Sequence, residues 1–420
     1  MRSAATGPLI RFDPRDFILP PFVACPKCAL AAYGILNIHD HEYHRRCREC
    51  WFTGKVDLPP IRKTLIYLDQ FAVSNLMFAN PPAHSEVNKT VDQFWHQLFR
   101  NIKSLLHLQV AVCPASSAHD RESILSRHNK SLSGTIEALS LGVAYFDFET
   151  IKNFQLCDHL RSWLGGQASA GSANIENRIL DSDPHVWTDR FLISLELGDR
   201  PEYLEAVKAE REAVSSSLNA VFQYWKKNPG VTWEKWFEEE ALDFGPSIWK
   251  TYRRDTEQFA QVRDGSRPFS QDFVFPTQSQ LVIQQLIREI EEAGIAKEQM
   301  WPKLHEFLHS TILQEVPFNK IAAALYASVA KKAPHQNKLP TTGFSIDVDV
   351  ISCLLPYCDA MFLDVECWNY LLELKRSGHL TYDTRVFSMR NKDEFIEYLN
   401  GLSAAVSPEH RRLVGEVYGS

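Results

Sequence analysis

The sequence predicts an α/β fold: a parallel sheet flanked by helices, split by a large helical insertion and preceded by a small cysteine-rich module. Three observations lead there. Short apolar runs alternate with helical patterns over residues 62–150 and again over 341–420, the order that a parallel sheet with crossover helices produces. Between these two stretches, residues 151–340 carry mainly helical patterns. Ahead of both, residues 21–58 hold four of the nine cysteines.

With 420 residues, 45% apolar and 23% charged, the composition is that of an ordinary globular protein with room for two or three cores. No run of eighteen apolar residues occurs and the first residues lack the apolar centre of a signal peptide, so a cytoplasmic protein without membrane contact is expected. The net charge of -7 argues against a broad polyanion-binding surface and leaves a local basic groove open.

Residues 1–20 carry three prolines and neither helical nor strand period, which reads as a leader lying over another part of the protein. Next come Cys25-Pro-Lys-Cys28, eighteen residues, and Cys47-Arg-Glu-Cys50. Two such knuckles suit a four-thiolate Zn²⁺ site in a zinc-ribbon-like module, because each supplies two sulfurs to a tetrahedral ion. His39, His41 and His44 lie between the knuckles and could replace a thiolate. Arg45, Arg46 and Arg48 beside Trp51 and Phe52 could form a basic nucleic-acid edge, but Asp40, Glu42, Glu49 and Asp57 nearly cancel that charge, so docking of a protein partner is equally open. The other five cysteines, Cys113, Cys157, Cys353, Cys358 and Cys367, sit in apolar surroundings and read as reduced core residues.

Pro59-Pro60 marks a boundary. A buried strand follows from Thr64, ending on Asp69 and passing into a helix that Asp69 can also cap. Residues 85–109 read as an amphipathic helix, 108–113 as a second strand, and Ser116 or Ser117 as the cap of a helix bearing His119, Asp120 and Glu122. A strand over 143–148 and a helix ending at Gly165-Gly166 come next, then a loop over 165–172. Helices are expected over 201–227, 233–262, 277–293, 301–313 and 319–332, with their tryptophans as packing anchors. Asp347 then caps a helix that Pro356 ends, 360–363 is a buried strand closed by Asp364, and helix, strand and closing helix follow over 366–377, 384–388 and 391–402.

Asp69, Glu122 and Asp364 each lie just past an apolar strand, and Asp347 opens the helix before the last one. A parallel sheet brings such strand ends to one edge, where ligands bind. Four hard oxygen donors suit Mg²⁺ or Mn²⁺ and phosphodiester hydrolysis. A haloacid-dehalogenase phosphatase is disfavoured, since Phe71 stands where its second aspartate belongs.

These residues resemble a PIN-like nuclease domain. The likeness rests on Leu-Ile-Tyr-Leu-Asp69, Ser-Ser-Ala-His-Asp-Arg-Glu122, Ile-Asp347-Val-Asp349 and Asp359-Ala-Met-Phe-Leu-Asp364, and covers residues 62–150 and 340–403. It implies a metal-dependent endonuclease, with RNA ahead of DNA as substrate, acting as a toxin or phage-defence effector. Asp69, Glu122, Asp347 and Asp364 are then the catalytic metal-binding acids, Asp349 and Asp120 the alternatives to Asp347 and Glu122, and Asp359 a supporting group. The zinc module and the helical insertion lie outside the resemblance and are the places for partner and substrate selection. The competing reading is a catalytically inactive, zinc-stabilised protein-binding adaptor.

Overall fold

The computed structural model describes residues 13–80, 90–165, 179–190, 201–269, 275–336 and 342–419. Two sheets organise the described residues, which are 62% helical. The first is antiparallel, β1 (Leu19–Val23), β2 (Tyr33–His39), β3 (Glu42–Cys47) and β4 (Thr53–Asp57), in that order. The second is parallel, in the order β6-β5-β7-β8, with β5 at Thr64–Leu68, β6 at Ala111–Val112, β7 at Ala360–Phe362 and β8 at Arg385–Phe387.

The helices are α1 (Gln70–Ala79), α2 (Gln93–His107), α3 (Ser117–Ser123), α4 (Asn129–Ser140), α5 (Phe148–Gly165), α6 (Pro201–Lys227) and α7 (Trp233–Arg263). They continue with α8 (Gln278–Glu292), α9 (Lys297–Leu308), α10 (Pro317–Lys332), α11 (Thr342–Leu354), α12 (Val365–Arg376), α13 (Lys392–Ala404) and α14 (Pro408–Tyr418). No helix among the described residues is long and apolar enough to cross a membrane.

Side chains alternate across the parallel sheet, so each face finds its own core. Ile66, Leu68, Ala360, Phe362 and Phe387 pack with Trp95 and Leu98 of α2 and Phe395 of α13. Leu65, Tyr67, Val112 and Met361 face the other way, onto Ile351 of α11, Leu325 of α10 and Leu286 of α8. The helices of 151–340 thus share one apolar core with the sheet, and the inserted segment is part of the domain's second layer. Gly245 shows how tightly they cross: a Cβ there would meet the Leu308 carbonyl oxygen at 1.9 Å.

Several expected boundaries move. The leader shortens, because Leu19 already pairs with Ile35 as part of β1; residues 1–12 lie outside the described part. The helix expected over 85–109 starts at Gln93, capped by the Asp92 carboxylate; residues 81–89 are not described. The strand after it shrinks to two residues, since Leu108 still caps α2 and Gln109 takes a left-handed φ of 57°. Pro114, without an N–H, follows closely. No strand forms over 143–148: Ala144 and Tyr145 make single bridges to Ala115 and Leu180, and α5 begins at Phe148. The loop expected over 165–172 falls, after Gly165, outside the described residues.

Helix α14 was not anticipated. Its Val414 and Val417 are buried against Ile35, Ile38 and Tyr43 of the N-terminal module and Trp187. Arg45 ties the same elements together, donating to the carbonyls of Pro21 (3.0 Å), Tyr33 (3.0 Å) and Glu416 (2.9 Å). Arg48 donates to the Ile18 carbonyl at 2.6 Å, and the Arg46 guanidinium lies 4.7 Å from the centre of the Trp51 ring. The arginines expected as a basic edge are therefore drawn into the module's own structure. Trp187, Trp225, Trp233 and Trp236 are buried as expected, whereas Trp301 is 44% exposed.

Candidate metal centre

Asp69 continues β5 by one residue, its amide donating to the Phe362 carbonyl at 3.0 Å. Its carboxylate caps α1, with Oδ1 accepting from the Gln70 amide at 2.7 Å. Asp364 stands two residues past β7 and caps α12, its Oδ1 accepting from the Cys367 amide at 2.6 Å. Both acids are therefore held at the carboxyl edge of adjacent parallel strands by the helix starts that follow them.

Glu122 reaches the same edge from α3. That helix starts in a capping box, where Ser116 Oγ accepts from the His119 amide and His119 Nδ1 accepts from the Ser116 amide at 3.2 Å. His119 Nε2 also hydrogen-bonds the Leu68 carbonyl at 2.8 Å, and the ring stacks on Tyr67 at 5.3 Å. Burial lowers the His119 pKa to about 4, so it is a neutral prop under the site.

Asp347 arrives on α11. It does not cap that helix, as the sequence led us to expect: α11 starts at Thr342 and Asp347 is its sixth residue. Ligand atoms of Asp347, Asp364 and Cys367 all lie within 4.8 Å of one another.

Asp69 and Glu122 are outside the group whose ligand atoms all lie within 4.8 Å, but near enough for their charges to act on Asp347. Burial, then Asp69, Asp364 and Glu122, raise the Asp347 pKa to about 8. Burial, then Glu122 and Asp364, raise that of Asp69 to about 7. Glu122 is raised by burial and eased by Arg211 of α6, whose Nη2 is 3.7 Å from Oε1. Like charges crowded in a half-buried cleft favour the protonated forms unless a cation is present.

Three expected supporting residues do not join the site. Asp349 is two positions from Asp347, about 200° around the helix, and its Oδ1 pairs with Lys152 Nζ at 2.9 Å. Asp359 precedes β7 and so sits at the opposite edge of the sheet, where its Oδ2 accepts from the Leu65 amide at 2.8 Å. Asp120 is exposed on α3 and is not among the charges that shift Asp69.

Two members were missed. Cys367, read as a core cysteine, is buried beside Asp347 and Asp364; burial and then those carboxylates push its thiol pKa far up. Its spacing in Asp364-x-x-Cys367, one turn past a capping acid, was the available signal. Arg211 carried none, because only the packing of α6 brings it to Glu122.

The close ligand group here is two carboxylates and a thiol, Asp347, Asp364 and Cys367, which could hold a metal ion; Asp69 and Glu122 are not part of that close group among the described residues.

A second cluster lies in the N-terminal module. Cys25 Sγ is 3.6 Å from Cys50 Sγ and Cys28 Sγ is 3.7 Å from Cys47 Sγ. All nine cysteines are free. A tetrahedral ion with Zn–S bonds of about 2.3 Å requires sulfurs roughly 3.8 Å apart, so the cluster can hold a metal such as zinc. The Lys27 and Glu49 amides point at Cys25 and Cys47 sulfurs, both at 3.4 Å. His44 instead meets Glu42 (3.0 Å) and His39 meets Asp40 (3.1 Å), away from the thiols.

No protein-family model, no curated protein and no solved structure matches this chain.

Proposed function

We propose that the chain is a PIN-like, metal-dependent endonuclease that hydrolyses phosphodiester bonds at the Asp69, Glu122, Asp347 and Asp364 cluster with Mg²⁺ or Mn²⁺. What supports this reading is that Asp347 and Asp364 come within 4.8 Å beside Asp69, which ends the neighbouring parallel strand, with Glu122 near enough to act on them. When bound, the cation would neutralise the crowded carboxylates, activate a water and stabilise the leaving oxygen.

The chain's own groups have separable tasks in this reading. Asp69 and Asp364 are fixed by their helix caps and set the distance across the site. Asp347 and Glu122 close it from α11 and α3. Tyr67 and His119 form a dry floor, and Arg211 offers a positive rim to a phosphate. RNA ahead of DNA, a cytoplasmic toxin or defence role, and structural zinc in the four-cysteine module complete the proposal; the first two rest on the PIN-like resemblance alone.

The adaptor reading explains Asp69 and Asp364, because both cap helices. It gives no reason for Asp347, which caps nothing and is held against like charges, whereas Glu122 has a partner in Arg211. The test is cleavage of RNA and single-stranded DNA with Mn²⁺ by wild type, Asp69→Asn and Asp364→Asn. Loss of cutting in both variants is expected. Equal cutting by all three would remove the metal site from the mechanism.

A further inference from the structure

A cavity of about 440 Å³ opens on the far side of α11, between α5, α7, α8 and α10. Its volume is in the range of small-molecule sites. None of the four clustered acids lines it; Asp349 and Ser352 are its share of α11.

Its charge is one-sided. Glu149, Glu240, Asp243 and Asp349 line the cavity against one ammonium group, that of Lys152. Lys152 is already spent, 2.9 Å from Glu149 and 2.9 Å from Asp349. Glu240 and Asp243 pair with no cation among the described residues. Asp243 accepts from the Ser247 hydroxyl at 2.7 Å. Burial, then Asp243 and Glu239, raise the Glu240 pKa to about 7, against a hydrogen bond from Trp225. A half-buried carboxyl so placed lacks a counter-charge.

Two further features narrow the ligand. The carboxylates do not converge: the close ligand groups among the described residues are the four cysteines and Asp347, Asp364 and Cys367, so a single metal ion is a poor fit here. The rest of the lining is mixed, with Asn153, Thr251 and Asn319 among its polar groups and Leu156, Phe244, Phe318 and Tyr326 among its apolar and aromatic ones. The Phe244 and Phe318 rings meet edge to face at 4.9 Å. Unpaired carboxylates beside apolar and aromatic wall match an organic chain of methylenes that carries ammonium groups.

We propose that this cavity is a binding site for an organic polycation of the polyamine class, held by Glu240 and Asp243 through its ammonium groups and by the aromatic wall along its chain. The site stands independently of the nuclease reading, since it shares none of the four acids.

Spermidine binding to the full chain, followed by calorimetry at fixed ionic strength, tests it. Saturable binding near one per chain is expected, weakened at least tenfold in Glu240→Gln/Asp243→Asn and changed less than twofold in Asp347→Asn. Ser247→Phe, which blocks the exposed mouth without altering charge, should weaken binding as well. Variants are compared only at unchanged circular dichroism, and if the carboxamide pair fails to fold, Ser247→Phe decides. Absence of saturation, or undiminished binding in the folded variants, would overturn the proposal. So would loss of binding in Asp347→Asn, which would move the polyamine to the acidic centre.

Discussion

Adding Mn²⁺ to the metal-free protein should expel protons from it. With pKa values of about 7 for Asp69 and about 8 for Asp347, the two carboxyls together hold roughly 1.4 protons at pH 7. A cation needs them ionised, so binding releases those protons and its apparent affinity climbs with pH, by about a hundredfold or more between pH 6 and 8. The sign for stability is the opposite in the metal-free protein. Both folded-state pKa values lie above the unfolded carboxylate value near 4, so the folded state binds the extra protons and its stability falls as pH rises from about 4 to about 8. Each tenfold gain in metal affinity restores about 1.4 kcal/mol, which for a chain of this length is roughly 1.5 °C in melting midpoint. Calorimetry in buffers of different ionisation enthalpy counts the protons directly. Asp347→Asn should cut the release at pH 7 to about 0.5. A release near zero in wild type, or an unchanged one in Asp347→Asn, would refute the assignment of these acids to a shared cation site.

Three other outcomes follow from the same geometry. Asp349→Asn breaks one of the two Lys152 pairs and should cost about 0.2–1 kcal/mol in denaturant melts while leaving Mn²⁺ affinity within twofold, separating it from Asp347→Asn. Asp359→Ala strands the Leu65 amide and should cost about 1–3 kcal/mol, again with metal binding intact; loss of metal binding would return Asp359 to the site. Cys47→Ser, or a strong zinc chelator, should release one zinc per chain in a colorimetric assay and lower the melting midpoint, because the module buries Ile35, Ile38 and Tyr43 against Trp187 and α14. The same contacts make deletion of residues 21–55 destabilising.

That Asp69 and Asp364 share one sheet edge was legible because each follows a short apolar strand, and the direction of a parallel strand tells which edge its last residue reaches. That rule also separates Asp359 from Asp364: one precedes β7 and the other follows it, on the order of 15 Å apart along the strand. The start of α11 was not legible. Gly343 and Asp347 look like a break and a cap, but Phe344 is buried against Tyr326 and Tyr370, and that packing extends the helix backwards past both. The strand over 143–148 failed for a similar reason, since β6 is only two residues long and gives it little to pair with. Cys367 and Arg211 depend on how α12 and α6 pack, which no local pattern encodes.

The acids that meet at the sheet edge are born far apart in time. Asp69 and Asp364 are separated by about 300 positions, which at 5–20 residues per second is roughly 15 to 60 s of synthesis. Strand β5 must wait for that interval before β7 arrives as its neighbour, and throughout it the cleft has only half its walls. A chain halted before Asp364 therefore cannot bring the two strand-end acids together, so the order of the genetic message itself delays the completion of this sheet edge.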